Sequence, residues 1–313
     1  MGRCEVVDGH LHYVDFTQRT DGFPALVRAM DEAGVDRAAI FGLPVTKRWD
    51  RSRGAAPTYY LDDGSRCYYY SATDYLLLGD LAEQPVQVRE RFLPFVCGFN
   101  PVDGYAVDHI ERVMRRFPGM VAGIGEVMCH HDELTALTLG ETPAMDNPAM
   151  LDVLDLAAGE GLPVLVHQNV TAPGSSELLW LGELERALAY NRSCNVIWAH
   201  MGVSRRVEVP GLAGLVERLL AQNRNLFVDI SWLAYDYYFL SESPDGFRDR
   251  VSMDGWAQVV ERWPDRFIMG TDVVGRWASY GAEVEKYRPL VDDLSHGAAR
   301  AFMGGNILRL TGR

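Results

Sequence analysis

Eight short apolar, β-branched runs, spaced along the whole chain and separated by longer amphipathic stretches, limit what this sequence can fold into. They are residues 4–8, 37–43, 92–99, 121–127, 163–167, 195–200, 226–230 and 267–270. Nearly every residue in them is apolar, the pattern of strands buried on both faces of a parallel sheet. Helical spacing fills the gaps. Residues 23–34 open on Phe23-Pro24 and stop at Gly34, and residues 107–117 place Ile110, Val113, Met114 and Phe117 three or four apart. Asn147-Pro148 opens a helix that runs to Gly161, with Asn as cap and Pro at the first position. Segments 177–190, 212–222, 255–263 and 296–310 complete the alternation. Such a pattern predicts parallel βαβ units closing into a (β/α)8 barrel, a single domain over residues 1–313. An open doubly wound sheet is the structural alternative, but no glycine-rich nucleotide cradle follows the first strand.

Two connections exceed simple loops. Residues 44–70 carry Tyr59, Tyr60, Tyr68, Tyr69 and Tyr70, and residues 232–251 carry Tyr235, Tyr237, Tyr238, Phe239 and Phe247. In a barrel both lie on the carboxyl-terminal rim, where long loops wall a substrate pocket or form subunit contacts. The balance of 30 Lys+Arg against 43 Asp+Glu, a net charge of −13, argues against nucleic acid or anionic membranes as partners and leaves a small molecule. No apolar run is long enough for a membrane span, and the amino terminus turns polar before a signal core forms, so a cytoplasmic location is expected. Cys4, Cys67, Cys97, Cys129 and Cys194 are odd in number and show no CxxC spacing, as expected of reduced thiols. A homodimer is favoured only by the general prevalence of two-fold symmetry.

The chemistry sits at the strand ends. The first strand runs into Asp8-Gly9-His10-Leu11-His12. Residues i and i+2 of a strand share a face, so His10 and His12 can aim at one ion. The fourth strand ends on Glu126, the fifth on His167, the sixth on His200, and the eighth runs to Asp272. In a barrel these ends converge on one rim, and imidazole with carboxylate suits Zn²⁺, Fe²⁺ or Mn²⁺. Arg205 and Arg206 after the sixth strand, and Arg276 with Trp277 after the eighth, are either ordinary loop residues or part of a clamp for a substrate carboxylate. His130 and His131 read as solvated loop residues, His109 as a surface residue of its helix, and Asp8 as a group that orients the first strand.

The ordered pieces DGHLH, FNPVDG, GIGEV, VLVHQN, IWAHMG, FIMGTD and FMGGNILRLTG span nearly the whole chain. Together they resemble the amidohydrolase superfamily, in particular the amidohydrolase-2 branch that includes aminocarboxymuconate-semialdehyde decarboxylase and related lactonases. The resemblance implies a divalent metal held by His10, His12, His167 and Asp272. It implies that His200 either binds a second ion or polarises the scissile group. Glu126 resembles the bridging ligand of TatD-like members, which hold two ions, whereas many amidohydrolase-2 members hold one ion and do not use this position. The carbamylated lysine of the urease-like branch has no counterpart at Gly125-Glu126. Zn²⁺ is the expected ion, with Mn²⁺ or Fe²⁺ as alternatives. A metal-activated water, Asp272 as general base and then acid, and His200 beside the developing oxyanion imply hydrolysis of an amide, lactone or ester bond in a small organic molecule. Nonoxidative decarboxylation of a small carboxylate is the alternative reaction. A non-catalytic metal-binding barrel is the alternative class.

Overall fold

The expected strands form where the apolar runs lie: β1 (Val7–His12), β2 (Arg37–Phe41), β3 (Phe92–Val96), β4 (Gly123–Met128), β5 (Val164–His167), β6 (Val196–Trp198), β7 (Leu226–Asp229) and β8 (Phe267–Ile268). The structure, a computed structural model, describes residues 5–62, 65–131, 133–138, 143–244, 247–248 and 251–313. Cys4, where the first strand was expected to begin, lies outside the described residues. A short ninth segment, β9 (Val273–Val274), completes one parallel sheet in the order β8-β7-β6-β5-β4-β3-β2-β1-β9.

The two edge segments are halves of one interrupted strand. β8 pairs with β7 at Val228 and Asp229, and β9 pairs with β1 at Leu11 and His12. Between them, Gly9 N donates to Met269 O and Asp272 N to His10 O, each at 2.8 Å, and the sheet shuts into a barrel. Gly9 is required at this seam, because a Cβ there would collide with Ile268 and the Met269 carbonyl. Inside, Ala39, Phe41, Leu93, Phe95, Leu165, Ile197 and Phe227 fill the lower half, and Ile307 and Leu310 of the helix Asn306–Thr311 close its floor. The polar strand ends are left facing the opposite mouth.

The helices pack outside as amphipathic spacing requires. Phe23–Ala33 begins with Pro in its first turn, buries Phe23, Leu26 and Met30, and ends at a left-handed Gly34. Asn147 caps Pro148–Glu160 by accepting from Met150 N, and Gly161 closes it. The helix Ala72–Ala82 was not expected from the sequence. Leu77, Leu78 and Leu81 are buried while neighbouring Tyr75 and Leu76 are exposed, so apolar residues run round the helix and no stripe shows.

Two β-bulges decide which side chains reach the mouth. The register shifts between Asp8 and Leu11 in β1, and between Ile124 and Val127 in β4. A Cβ on Gly123 would meet the Phe95 ring and one on Gly125 would meet Leu165, so both glycines face the interior. Strict alternation would then turn Glu126 outward. The bulge, with Gly125 at φ 127°, brings it back in.

On the rim, Val45–Lys47 pairs antiparallel with Cys67–Tyr69. Tyr235, Tyr238 and Phe239 of the second long loop are buried in the core. Cys67, Cys97, Cys129 and Cys194 are buried. No helix among the described residues is long and apolar enough to cross a membrane.

Candidate metal centre

All six strand-end residues meet at the carboxyl-terminal mouth. Glu126 lies at the middle. Its Oε2 is 3.3 Å from His12 Nε2 and 3.8 Å from His10 Nε2. Its Oε1 is 3.1 Å from His167 Nδ1 and 3.3 Å from His200 Nε2. Asp272 Oδ1 lies 3.2 Å from both His10 Nε2 and His12 Nε2, and its Oδ2 is 4.0 Å from His200 Nε2. Three triads, His10-His12-Glu126, Glu126-His167-His200 and His10-His200-Asp272, each bring their ligand atoms within 4.8 Å of one another. His10 Nε2 is buried with no hydrogen-bond partner, an atom in need of a cation or a proton. This donor set of imidazoles and carboxylates fits a divalent ion.

Each imidazole is oriented from behind. His12 Nδ1 donates to Gly42 O at 2.7 Å, and His10 Nδ1 to Asp229 Oδ2 at 2.6 Å, so Nε2 of each is turned to the centre. His167 is reversed: Nε2 is held by Asn169 Oδ1 at 2.8 Å and Nδ1 faces Glu126. Asp8, as expected, orients the backbone. It accepts from His10 N, Thr271 N and Thr271 Oγ1, tying β1 to the break that carries Asp272. Four residues around the mouth, His200, Met201, Trp232 and Asp272, hold left-handed φ angles of 53–55°. Each such non-glycine conformation costs about 1–3 kcal/mol, and the strain gathers where the ligands converge.

Charge explains how tightly this cluster is coupled. Burial alone would push His10 and His12 down, but the carboxylates of Asp229, Glu126 and Asp272 overcome it for His10, and Asp272 with Glu126 raise His12 to about 9. Burial would likewise raise Glu126 and Asp272, yet His10 and the neighbouring imidazoles hold both well below the usual carboxylate range. His12 therefore stabilises the metal-free fold fully below its ordinary 6.5 and loses that contribution as pH rises through about 9. Melts of chelator-treated protein are expected to fall in midpoint across that interval. Melts in excess zinc are expected to fall less, since the ion takes the place of the protons. A metal-free midpoint that rose with pH over this range would contradict the charge balance.

The centre opens into a cavity of about 120 Å³ walled by Phe16, Leu43, Tyr59, Tyr60, Met128, Leu134 and Trp232. Phe16, Tyr59, Trp232, Asp272 and Val274 also border an outer depression of about 620 Å³. A cavity of about 680 Å³ lies against Arg37 and Phe92, the residues that begin β2 and β3, and none of the strand-end ligands lines it. Arg205 reaches the inner cavity, with Nη2 3.1 Å from Tyr59 OH, Nε 3.3 Å from Glu133 Oε2, and the guanidinium over Trp232. Arg206 is turned to Glu133. Arg276 stays on the outer depression, paired with Asp15 and Asp21. Trp277 lines neither the inner cavity nor the outer depression. It is buried beside Phe23, and its indole N–H donates to Gly22 O.

Three histidines differ from their sequence reading. His131 is buried, lines the cavity and stacks on His167 at 4.5 Å, while its Nδ1 accepts from Glu133 N and Leu134 N. His130 is buried against Trp180 and Glu183. His109 is half-buried with Nε2 2.7 Å from Asp74 Oδ2. Asp229, the last residue of β7, was also missed.

No family model matches the sequence, and no curated protein matches it. Solved structures match it along its whole length. An amidohydrolase from Burkholderia multivorans with bound zinc has a TM-score of 0.61 at 15% identity, over 98% of this chain and 99% of that one. The fold is a TIM barrel. The 5-carboxyvanillate decarboxylase of Sphingomonas paucimobilis matches at TM-score 0.55 and 14% identity, over 99% of each chain. A protein described as a probable 2-pyrone-4,6-dicarboxylic acid hydrolase, from Acinetobacter baumannii, matches at 0.59 and 11%, over 99% of this chain and 100% of that one. The matched structures thus include hydrolases and decarboxylases alike, and at these identities the likeness is one of fold.

Proposed function

We propose that the chain is an amidohydrolase-superfamily enzyme that hydrolyses an amide, lactone or ester bond in a small organic substrate at a site for two divalent ions. The observation that carries this reading is the Glu126 carboxylate, which lies between two imidazole sets with one oxygen toward each. His10, His12, Glu126 and Asp272 would hold one ion, and Glu126, His167 and His200 a second. Zinc suits this nitrogen-rich set. When bound, such ions supply Lewis acidity, acidifying water and polarising a carbonyl.

The chain's own residues supply the rest. Asp272, held ionised among the imidazoles, takes a proton from water at its carboxylate and returns it to the leaving group. The aromatic and aliphatic walls exclude bulk water from the inner cavity. Arg205, at the cavity wall, holds an anionic group of the substrate. Arg205→Met is expected to raise KM about 10–100-fold for carboxylate-bearing substrates, with kcat and neutral substrates little changed, as for loss of a hydrogen bond to a charged group. Equal losses for charged and neutral substrates would remove that role.

The deciding experiment is a screen of zinc-loaded protein, by pH-stat against lactones and esters and by amine release against amides, run beside CO₂ release from small carboxylates. Acid or amine release without CO₂ is expected. CO₂ release would favour decarboxylation, and turnover of neither class would leave a metal-binding module.

A further inference from the structure

Of the strand ends that the proposed ligand set leaves out, those of β2, β3 and β7, that of β7 carries a carboxylate. Asp229 is fully buried there, and its carboxylate serves two histidines in opposite ligand sets. Oδ2 lies 2.6 Å from His10 Nδ1 and 2.8 Å from Ser231 Oγ, while Oδ1 accepts from Ser231 N at 2.8 Å. Ser231 Oγ is in turn 2.9 Å from His200 Nδ1.

We infer that Asp229 and Ser231 are positioning residues that fix His10 directly, and His200 through the Ser231 hydroxyl, in the tautomer that presents Nε2 to a metal ion. This rests on the two-ion reading above.

The argument is one of proton counting. A carboxylate only accepts, so His10 donates from Nδ1 and keeps its Nε2 lone pair for the centre. A serine hydroxyl has a single proton. Given to Asp229, it leaves the oxygen as an acceptor, so His200 donates from Nδ1, toward Oγ and toward the Ser231 carbonyl at 3.3 Å. His200 Nε2 is then the free lone pair, 3.3 Å from Glu126. His12 and His167 are oriented by other partners, Gly42 O and Asn169 Oδ1. Asp229 therefore couples the two sets, and Ser231 acts on one of them. An Asn at 229 cannot reproduce the pattern. It offers one oxygen where the site uses two, and its amide would oppose either His10 Nδ1–H or Ser231 N–H.

The test is Zn²⁺ titration against a chromophoric chelator, with zinc counted by mass spectrometry, on wild type, Ser231→Ala and Asp229→Asn. In Ser231→Ala the first equivalent is expected to bind as in wild type and the second about tenfold more weakly, since the Ser231 carbonyl remains. In Asp229→Asn both are expected to weaken by about 10–100-fold. The metal-free unfolding midpoint of Ser231→Ala is expected to stay near wild type, which separates a positioning role from a structural one. Two wild-type affinities in Ser231→Ala, or equal weakening of both equivalents, would overturn the inference. Wild-type protein that takes up no zinc would instead sink the two-ion reading, and the inference with it.

Discussion

Asp272→Asn is expected to slow turnover by about 10²–10⁴-fold, the usual cost of removing a general base, while zinc is still bound. The carboxamide has nearly the same shape and keeps one oxygen to face His10 and His12, so the ion held by those residues and Glu126 survives. What is lost is a carboxylate oxygen able to take a proton from water and pass it on. The fold tolerates the change, because residue 272 sits at φ 54°, a region in which Asn is as acceptable as Asp. Turnover of the most active substrate found in the pH-stat screen, measured together with zinc content, checks both halves. Unchanged turnover would remove the general-base role. Loss of all zinc would make Asp272 chiefly a ligand.

Glu126→Gln is expected to lower zinc content from two equivalents to at most one. Turnover should fall by more than about 100-fold, the upper end for groups that only touch the ligands. The wild-type carboxylate presents an oxygen to each imidazole set, within 3.1–3.3 Å of His12, His167 and His200. Glutamine keeps one oxygen and turns an N–H₂ toward the other set, where a donor opposes both the ion and the lone pairs that hold it. Mass spectrometry of protein purified without chelators reads the stoichiometry. Two equivalents in Glu126→Gln would show that the carboxylate does not bridge. One equivalent in wild type would leave His200 beside the substrate, as in single-ion members of the amidohydrolase-2 branch.

Much of the barrel was legible because hydrophobic periodicity is local. Each apolar run needs only its own residues to declare a strand buried on both faces, and Asn147-Pro148 with Gly161 needs only near neighbours to mark a helix. The helix Ala72–Ala82 escaped for the same reason reversed, since its apolar residues encircle it and leave no periodic signal. His10, His12, His167, His200 and Asp272 were legible because they stand at strand ends, which a parallel barrel brings to one mouth.

What the sequence by itself determined, then, was the alternation of elements and the kinds of donor at one end of the barrel. The tertiary structure decided where those donors point and what stands behind them. Glu126 faces the centre only because a bulge after Gly125 breaks the alternation of β4. Asp229 matters through His10, 219 residues away in sequence, and His131 lines the cavity stacked on His167 of the neighbouring strand. Trp277 packs into the core cluster that contains Phe23, with its N–H donated to the Gly22 carbonyl, 255 residues away in sequence. Each of these depends on distances between segments remote in sequence, which local patterns of hydrophobicity and charge do not encode.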